Sequence, residues 1–161
     1  MNKTDTKLIK SLSDLKESTI ELFDRASKEI SIYARDLDPR VLNNREVEFA
    51  VTRFIKKSRY CKVNILIESE QKLTGIDHRL VTLAQRFSSF IQIKLIPLDY
   101  QDNYFGFYMS DNSSMLYRNN IERYETELLN LPNSKLKEKS KFFGHLWQLA
   151  SPASFLRSLH L

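Results

Sequence analysis

Glycine is scarce, with three in the whole chain, and neither G-x-G-x-x-G nor G-x-x-x-x-G-K occurs. That excludes a glycine-rich phosphate loop of the dinucleotide-binding or P-loop kind. There is one cysteine, Cys61, so no internal disulfide can form, and a reducing compartment is expected. Cys61 sits in "SRYCKVNILI" with no His or Asn beside it, and reads as a small buried residue rather than a nucleophile. Neither H-x-x-x-H nor C-x-x-C is present, so neither a metal nor a cofactor is expected. No stretch approaches the roughly 20 apolar residues of a spanning helix. The N-terminal "MNKTDTKLIKSLSDLKE" has no apolar signal core, and a soluble, cytoplasmic protein is expected. Charge is not lopsided: 25 Lys and Arg face 20 Asp and Glu, a net +5. This permits an anionic partner without demanding one.

What is present is periodicity. At 161 residues the chain is expected to form one domain over 1–161, with 1–10 as a flexible lead. Residues 11–28 place Leu12, Leu15, Thr19, Leu22, Phe23 and Ala26 on one helical face, with Ser11 or Ser13 as cap. "EISIYA" alternates as a strand, and "RDLDPRVLNN", broken by Pro39, reads as a loop. A second helix over 45–58 buries Val47, Ala50, Val51, Phe54 and Ile55. "KVNILIES" follows as a strand covered on both faces. "GIDHRLVTLAQRFSSF" is a third helix, with Ile76, Leu80, Leu83, Ala84 and Phe87 inward, and "IQIKLIPL" a third strand. The order α-β-α-β-α-β predicts parallel strands joined by right-handed crossovers, an α/β class. "YFGFYMSDNSSMLYR" then makes an antiparallel hairpin, and "NSKLKEKSKFFGHLWQLA" a last helix with Leu136, Phe143, Leu146, Trp147 and Ala150 apolar. The basic run "KLKEKSK" reads as a solvated helix face.

Parallel βα units followed by such a hairpin resemble one half of the phospholipase D superfamily, whose motif is H-x-K-x(4)-D. The resemblance implies a mixed sheet, a parallel core plus the antiparallel hairpin, flanked by helices. With Asp111 at the motif's Asp, Tyr104 stands at the His and Gly106 at the Lys. These two share a strand face. No H-x-K exists elsewhere: His78 and His145 are followed two residues on by Leu80 and Trp147, and His160 is next to last. A phenol and a glycine supply neither the nucleophile nor the cation, so the resemblance implies a disarmed site. "IYARDLDP", "DHRLVTLAQRFSSFIQIK", "LYRN", "RYE" and "LHL" together resemble a bacterial domain of unknown activity, elsewhere fused behind GNAT-type acetyltransferase domains.

Ligands of open α/β sheets bind beyond the carboxyl ends of the strands. The candidates there are Arg35, Asp36 and Asp38, then Glu68, then His78 and Arg79 at a helix start suited to an anion. The hairpin's exposed face adds Tyr104, Tyr108 and Asp111, with Arg118 or Tyr117 from the returning strand. The plain alternative makes Asp36 and Asp38 turn or cap residues, Arg35 their ion-pair partner and His78 solvent-facing. Three functions compete. The first is a catalytically inactive module binding an anionic ligand or partner protein as a homodimer. The pairing is implied by the half-fold, with Phe105, Phe107, Met109, Met115 and Leu116 available to bury. The second is a nucleic-acid binder using "RFIKKSRYCK", "KLKEKSK" and the aromatics of "DYQDNYFGFY". The third is an enzyme with His78 as general acid or base, oriented by Asp36 or Asp38.

Overall fold

The computed structural model describes residues 6–73 and 75–154. Helices α1 (Leu12–Arg25), α2 (Pro39–Leu42), α3 (Arg45–Ile55), α4 (Arg79–Arg86) and α5 (Ser134–Leu149) surround one sheet. Its strands are β1 (Thr6–Ile9), β2 (Glu29–Tyr33), β3 (Lys62–Ile67), β4 (Ile91–Leu95), β5 (Gly106–Ser110), β6 (Ser114–Arg118), β7 (Thr126–Asn130) and β8 (Ser151–Pro152). The spatial order is β1-β7-β6-β5-β2-β3-β4-β8. β2, β3 and β4 are parallel, and every other pairing is antiparallel. The expected mixed α/β architecture is therefore the one observed.

Period-2 alternation divides the sheet residues between two cores. Ile30, Ile32, Val63, Ile65, Tyr108 and Leu116 pack with α1, α3 and α4, against Leu15, Phe23, Val47, Phe54 and Leu80. On the other face, Tyr33, Phe107, Met109, Met115, Tyr117 and Leu129 pack under α5 through Leu136, Phe143 and Leu146. Phe107, Met109, Met115 and Leu116 are buried in this chain's own core, the buried sheet expected of them, with Phe105 partly buried against it.

The basic run on α5 is not wholly solvated either. Lys139 Nζ sits 3.9 Å from the Phe105 ring centre, 5.5 Å from Phe142 and 5.7 Å from Tyr117. Its side chain is 15% exposed, and its carboxylate neighbour Glu138 lies 4.0 Å away and is 72% exposed. Rings, more than a counter-ion, hold this ammonium.

Four elements lie outside the sequence expectation. The lead expected to be flexible carries β1, which pairs with β7. β7 itself, β8 and α2 were also unanticipated; α2 falls in the segment read as a loop and buries Val41 and Leu42. Ile76, expected inward, precedes α4 and is 45% exposed. Cys61 is buried and free, as expected. His160 and "LHL" lie outside the described residues.

The hairpin turns through two left-handed residues, Asp111 (φ 54) and Asn112 (φ 55), conformations that Asp and Asn tolerate. The Asp111 carboxylate accepts from the backbone N–H of Ser27 (2.9 Å), Lys28 (2.8 Å) and Glu29 (2.9 Å) and from Ser27 Oγ (3.2 Å). Its own N–H donates to the Glu29 carbonyl. The hairpin is thereby clamped to the start of β2. Partial burial raises the Asp111 pKa, but the hydrogen bonds from Glu29, Ser27 and Lys28 outweigh it and hold the carboxyl below its ordinary value. A carboxylate with a depressed folded pKa contributes stability above its unfolded pKa and loses it as pH falls through the folded one. Asp111→Ala should therefore cost about 1–3 kcal/mol at neutral pH. Urea titrations should show the deficit shrinking once the pH passes below the carboxylate range.

Candidate functional site

At the carboxyl end of β2 the chain passes into a tight turn. Leu37 is fully buried yet has φ 59, a left-handed conformation that is strained for a residue with a bulky side chain. Such strain persists where the surroundings over-determine it, often at functional sites. Asp38 follows and caps α2, accepting from Arg40 N–H at 3.3 Å. Its other oxygen accepts from Arg118 Nη1. Arg118 closes β6 opposite Gly106 and is 3% exposed. Its Nη2 donates to the carbonyls of Ile121 (2.6 Å) and Arg123 (2.8 Å), and its Nε to Arg123 (3.2 Å). The pair is buried with its donors satisfied; removing one partner of such a pair costs about 3–5 kcal/mol.

Above this pair opens a cavity of about 470 Å³. Arg35, Asp36 and Asp38 from the turn, Tyr108 from β5 and Arg118 from β6 all line it. Tyr108, expected on an exposed face, is 3% exposed, with its ring 6.2 Å from Phe23. No hydrogen bond of acceptable geometry reaches its Oη, although the Arg118 guanidinium is near enough to bear on its charge. Burial, then the Asp38 carboxylate, push this phenol well above its ordinary pKa. Tyr104 stands outside the cavity, 57% exposed, with Arg35 5.5 Å over its ring. Arg35 pairs with Glu68 at 3.3 Å rather than with Asp36 or Asp38.

Four candidates, Asp111, Tyr117, His78 and Arg79, belong elsewhere. Asp111 is at the opposite end of β5, in the clamp already described. Tyr117 faces α5, with Lys135 4.8 Å over its ring. His78, read as solvent-facing, is 1% exposed and caps α4: Nδ1 accepts from Leu80 N–H at 3.1 Å and Nε2 lies 2.9 Å from the Leu37 carbonyl. With Nδ1 accepting, Nε2 carries the proton. Both nitrogens are committed, and neither partner is Asp36 or Asp38, so the acid–base arrangement is not formed. The expected anion site at this helix start is also filled from within: Arg79 N–H donates to Asn43 Oδ1 and its guanidinium to Glu48. Among the described residues, no group of three or more His, Cys, Asp or Glu could hold a metal ion.

Sequence reasoning missed Arg40, Lys72, Ile121 and Glu122, which also line the cavity. Lys72 follows β3 and Arg40 follows β2, so the strand-end rule that selected Arg35 could have reached both. Ile121 had no such signal. A Cβ built on Gly106 would lie 2.9 Å from Ile121 Cγ2 and 3.2 Å from the Tyr33 carbonyl. The space a side chain at Gly106 would need is already occupied.

The model of the domain of unknown function DUF7931 matches residues 11–159. The chain belongs to this family. Among curated protein sequences none matches at a significant level. Among solved structures, the DUF7931 chain is similar to TrmBL2, an archaeal chromatin protein, at 14% identity and TM-score 0.68, over 92% of this chain and 53% of that one. It is similar to NucT from Helicobacter pylori at 14% identity and TM-score 0.65, over 92% and 98%. The likeness to Nuc, a phospholipase D family member from Salmonella typhimurium, is 13% and 0.64, over 92% and 97%. The chain thus spans about half of TrmBL2 and nearly all of NucT and Nuc. These likenesses establish a phospholipase-D-like fold. No helix among the described residues is long and apolar enough to cross a membrane.

Burial pushes the His78 pKa below its ordinary value of 6.5, against the opposing pull of the Leu37 carbonyl and of Asp36 and Asp38. Neither folded nor unfolded chain is charged there at high pH, whereas below 6.5 the unfolded chain takes the proton first. Stability should therefore fall as pH drops from about 7.5 to about 5. Thermal melts of His78→Asn, which keeps a capping side chain, should show a flatter slope over that interval.

Proposed function

We propose that this protein is a non-catalytic binding module on a phospholipase-D-like scaffold, and that its strand-end cavity takes a small anionic ligand. The observation that carries the reading is the contrast between the two parts of the site. The motif positions are chemically empty: Tyr104 faces out beside Arg35, and the room for a lysine at Gly106 is filled by Ile121. The cavity nevertheless persists, with Arg35, Arg40, Lys72 and Arg118 set against Asp36, Asp38 and Glu122. Lys72 makes no ion pair among the described residues. It is the cation left for a ligand.

Two measurements test this. Bis(p-nitrophenyl) phosphate should be left intact by the protein and by the Tyr104→His/Gly106→Lys variant, because the new lysine has no room. Inorganic phosphate, titrated at low salt, should shift amide resonances around Lys72 and Arg40. Hydrolysis that disappears when Tyr104 is replaced would overturn the reading, as would a titration that moves no residue of the cavity.

The module works as a homodimer in this reading. The half-fold supports pairing, and so do apolar residues on loops at the cavity's end of the sheet: Ile76 (45% exposed), Leu98 (84%) and Tyr104 (57%). Light scattering should give twice the 19.0 kDa chain mass; a monomer at all concentrations removes this part.

A further inference from the structure

The end of the sheet opposite the cavity gathers the chain's positive charge. α1, α3 and α4 finish just before β2, β3 and β4, and the starts of those strands are neighbours: Glu29 pairs with Lys62, and Val63 with Ile91. Each helix carries an arginine in its last turn, Arg25, Arg53 and Arg86, where the helix dipole favours a cation. Parallel topology thus sums three local preferences into one field. Lys28, Lys56, Lys57, Arg59 and Lys62, between helix ends and strand starts, add five more cations. Against these eight stand three carboxylates, Asp24, Glu29 and, in the hairpin turn, Asp111. The difference at this pole equals the net +5 of the whole chain.

Little of this charge is spent. Asp24 pairs with Arg53, and Lys57 closes α1 through the Asp24 and Ala26 carbonyls. Asp111 is held by its clamp, and Glu29 accepts from Asn64. Lys62 reaches the Ser89 carbonyl at 3.3 Å. Arg25, Lys28, Lys56, Arg59, Lys62 and Arg86 are exposed and make no ion pair among the described residues. Crowded like charges repel, a cost to the compact state that a polyanion removes.

The middle connection, between α3 and β3, also presents a ring. Ser58 Oγ accepts from Tyr60 N–H at 3.1 Å and the Ser58 carbonyl from Cys61 N–H at 3.2 Å, with Cys61 buried. This anchored turn leaves Tyr60 71% exposed, with the Arg59 guanidinium 4.9 Å over its ring and donating to its hydroxyl at 2.7 Å. Of the large hydrophobic side chains in the three connections, Tyr60 alone is exposed. An aromatic platform among unpaired cations suits a base and the phosphates on either side of it. A bilayer surface would be met by several exposed apolar side chains rather than by one phenol.

We propose that this pole binds single-stranded nucleic acid, a base stacking on Tyr60 and the flanking phosphates lying along Lys28, Lys56, Arg59 and Lys62. The inference does not rest on the cavity or its ligand.

Fluorescence anisotropy of a labelled oligothymidylate of about 12 nucleotides, titrated with the full chain at rising salt, tests it. The logarithm of affinity should fall with that of salt by about 0.7 per phosphate engaged. Lys56→Ala should lower this slope by about 0.7, and Tyr60→Ala should weaken binding about tenfold at unchanged slope. Both side chains are exposed and outside the core, so both variants keep the fold. Arg123→Ala, which removes an equal charge from the loop at the opposite end of the sheet, should change neither quantity. Absence of binding at the lowest salt overturns the proposal, as do equal losses in Lys56→Ala and Arg123→Ala. A duplex of the same length bound as tightly, with Tyr60→Ala silent, overturns the stacked single strand. Binding to phosphatidylglycerol vesicles without binding to the oligonucleotide assigns the pole to a membrane surface and overturns it too.

Discussion

The buried contact between Arg118 and Asp38 is the constraint on which the site depends. Arg118 ends β6, Asp38 begins α2, and the two meet where β2 leaves the sheet. Asp38 can be there only because Leu37 accepts a left-handed backbone. Arg118 can be saturated only because residues 119–123 wrap back over it. The cavity floor is therefore a rigid junction of three segments distant in sequence, and its charge is balanced internally. The cavity thus has a charge-balanced Arg118–Asp38 pair at its floor beneath a charged rim.

The scaffold's two ends have divided their duties. Asp111 works at the far end of β5 as a clamp on the entrance to β2. Gly106 and Tyr108, toward the near end, line the cavity instead. The clamp and the cavity act through different backbone segments about a strand's length apart.

Much of the fold was legible because the signals were local. α1, α3 and the three parallel strands have clean apolar periods, and SDNSS carries its own turn chemistry. β1, β7 and β8 were not legible: "TKLI" and "TELLN" are short and mixed in polarity, and they become strands by joining an existing sheet edge. Of the site, Arg35, Asp36, Asp38, Tyr108 and Arg118 were found by the rule that loops at strand ends converge. That rule could not tell that Tyr108 is buried or that Arg118 is spent on its own turn. His78 misled because it lies off the apolar stripe of α4, as a capping residue must, and burial came from α2's side rather than from the helix's own face.

Lys139 of α5 packs over the second core against the rings of Phe105 and Tyr117, with Phe142 of its own helix beside it. Exposed ion pairs such as Arg53 with Asp24 weaken as ionic strength rises. An ammonium enclosed by aromatic quadrupoles and mostly shielded from solvent is far less open to that screening. Brine that loosens the Arg53–Asp24 contact, or Lys135–Glu127 on α5 itself, leaves this one lysine seated on its rings.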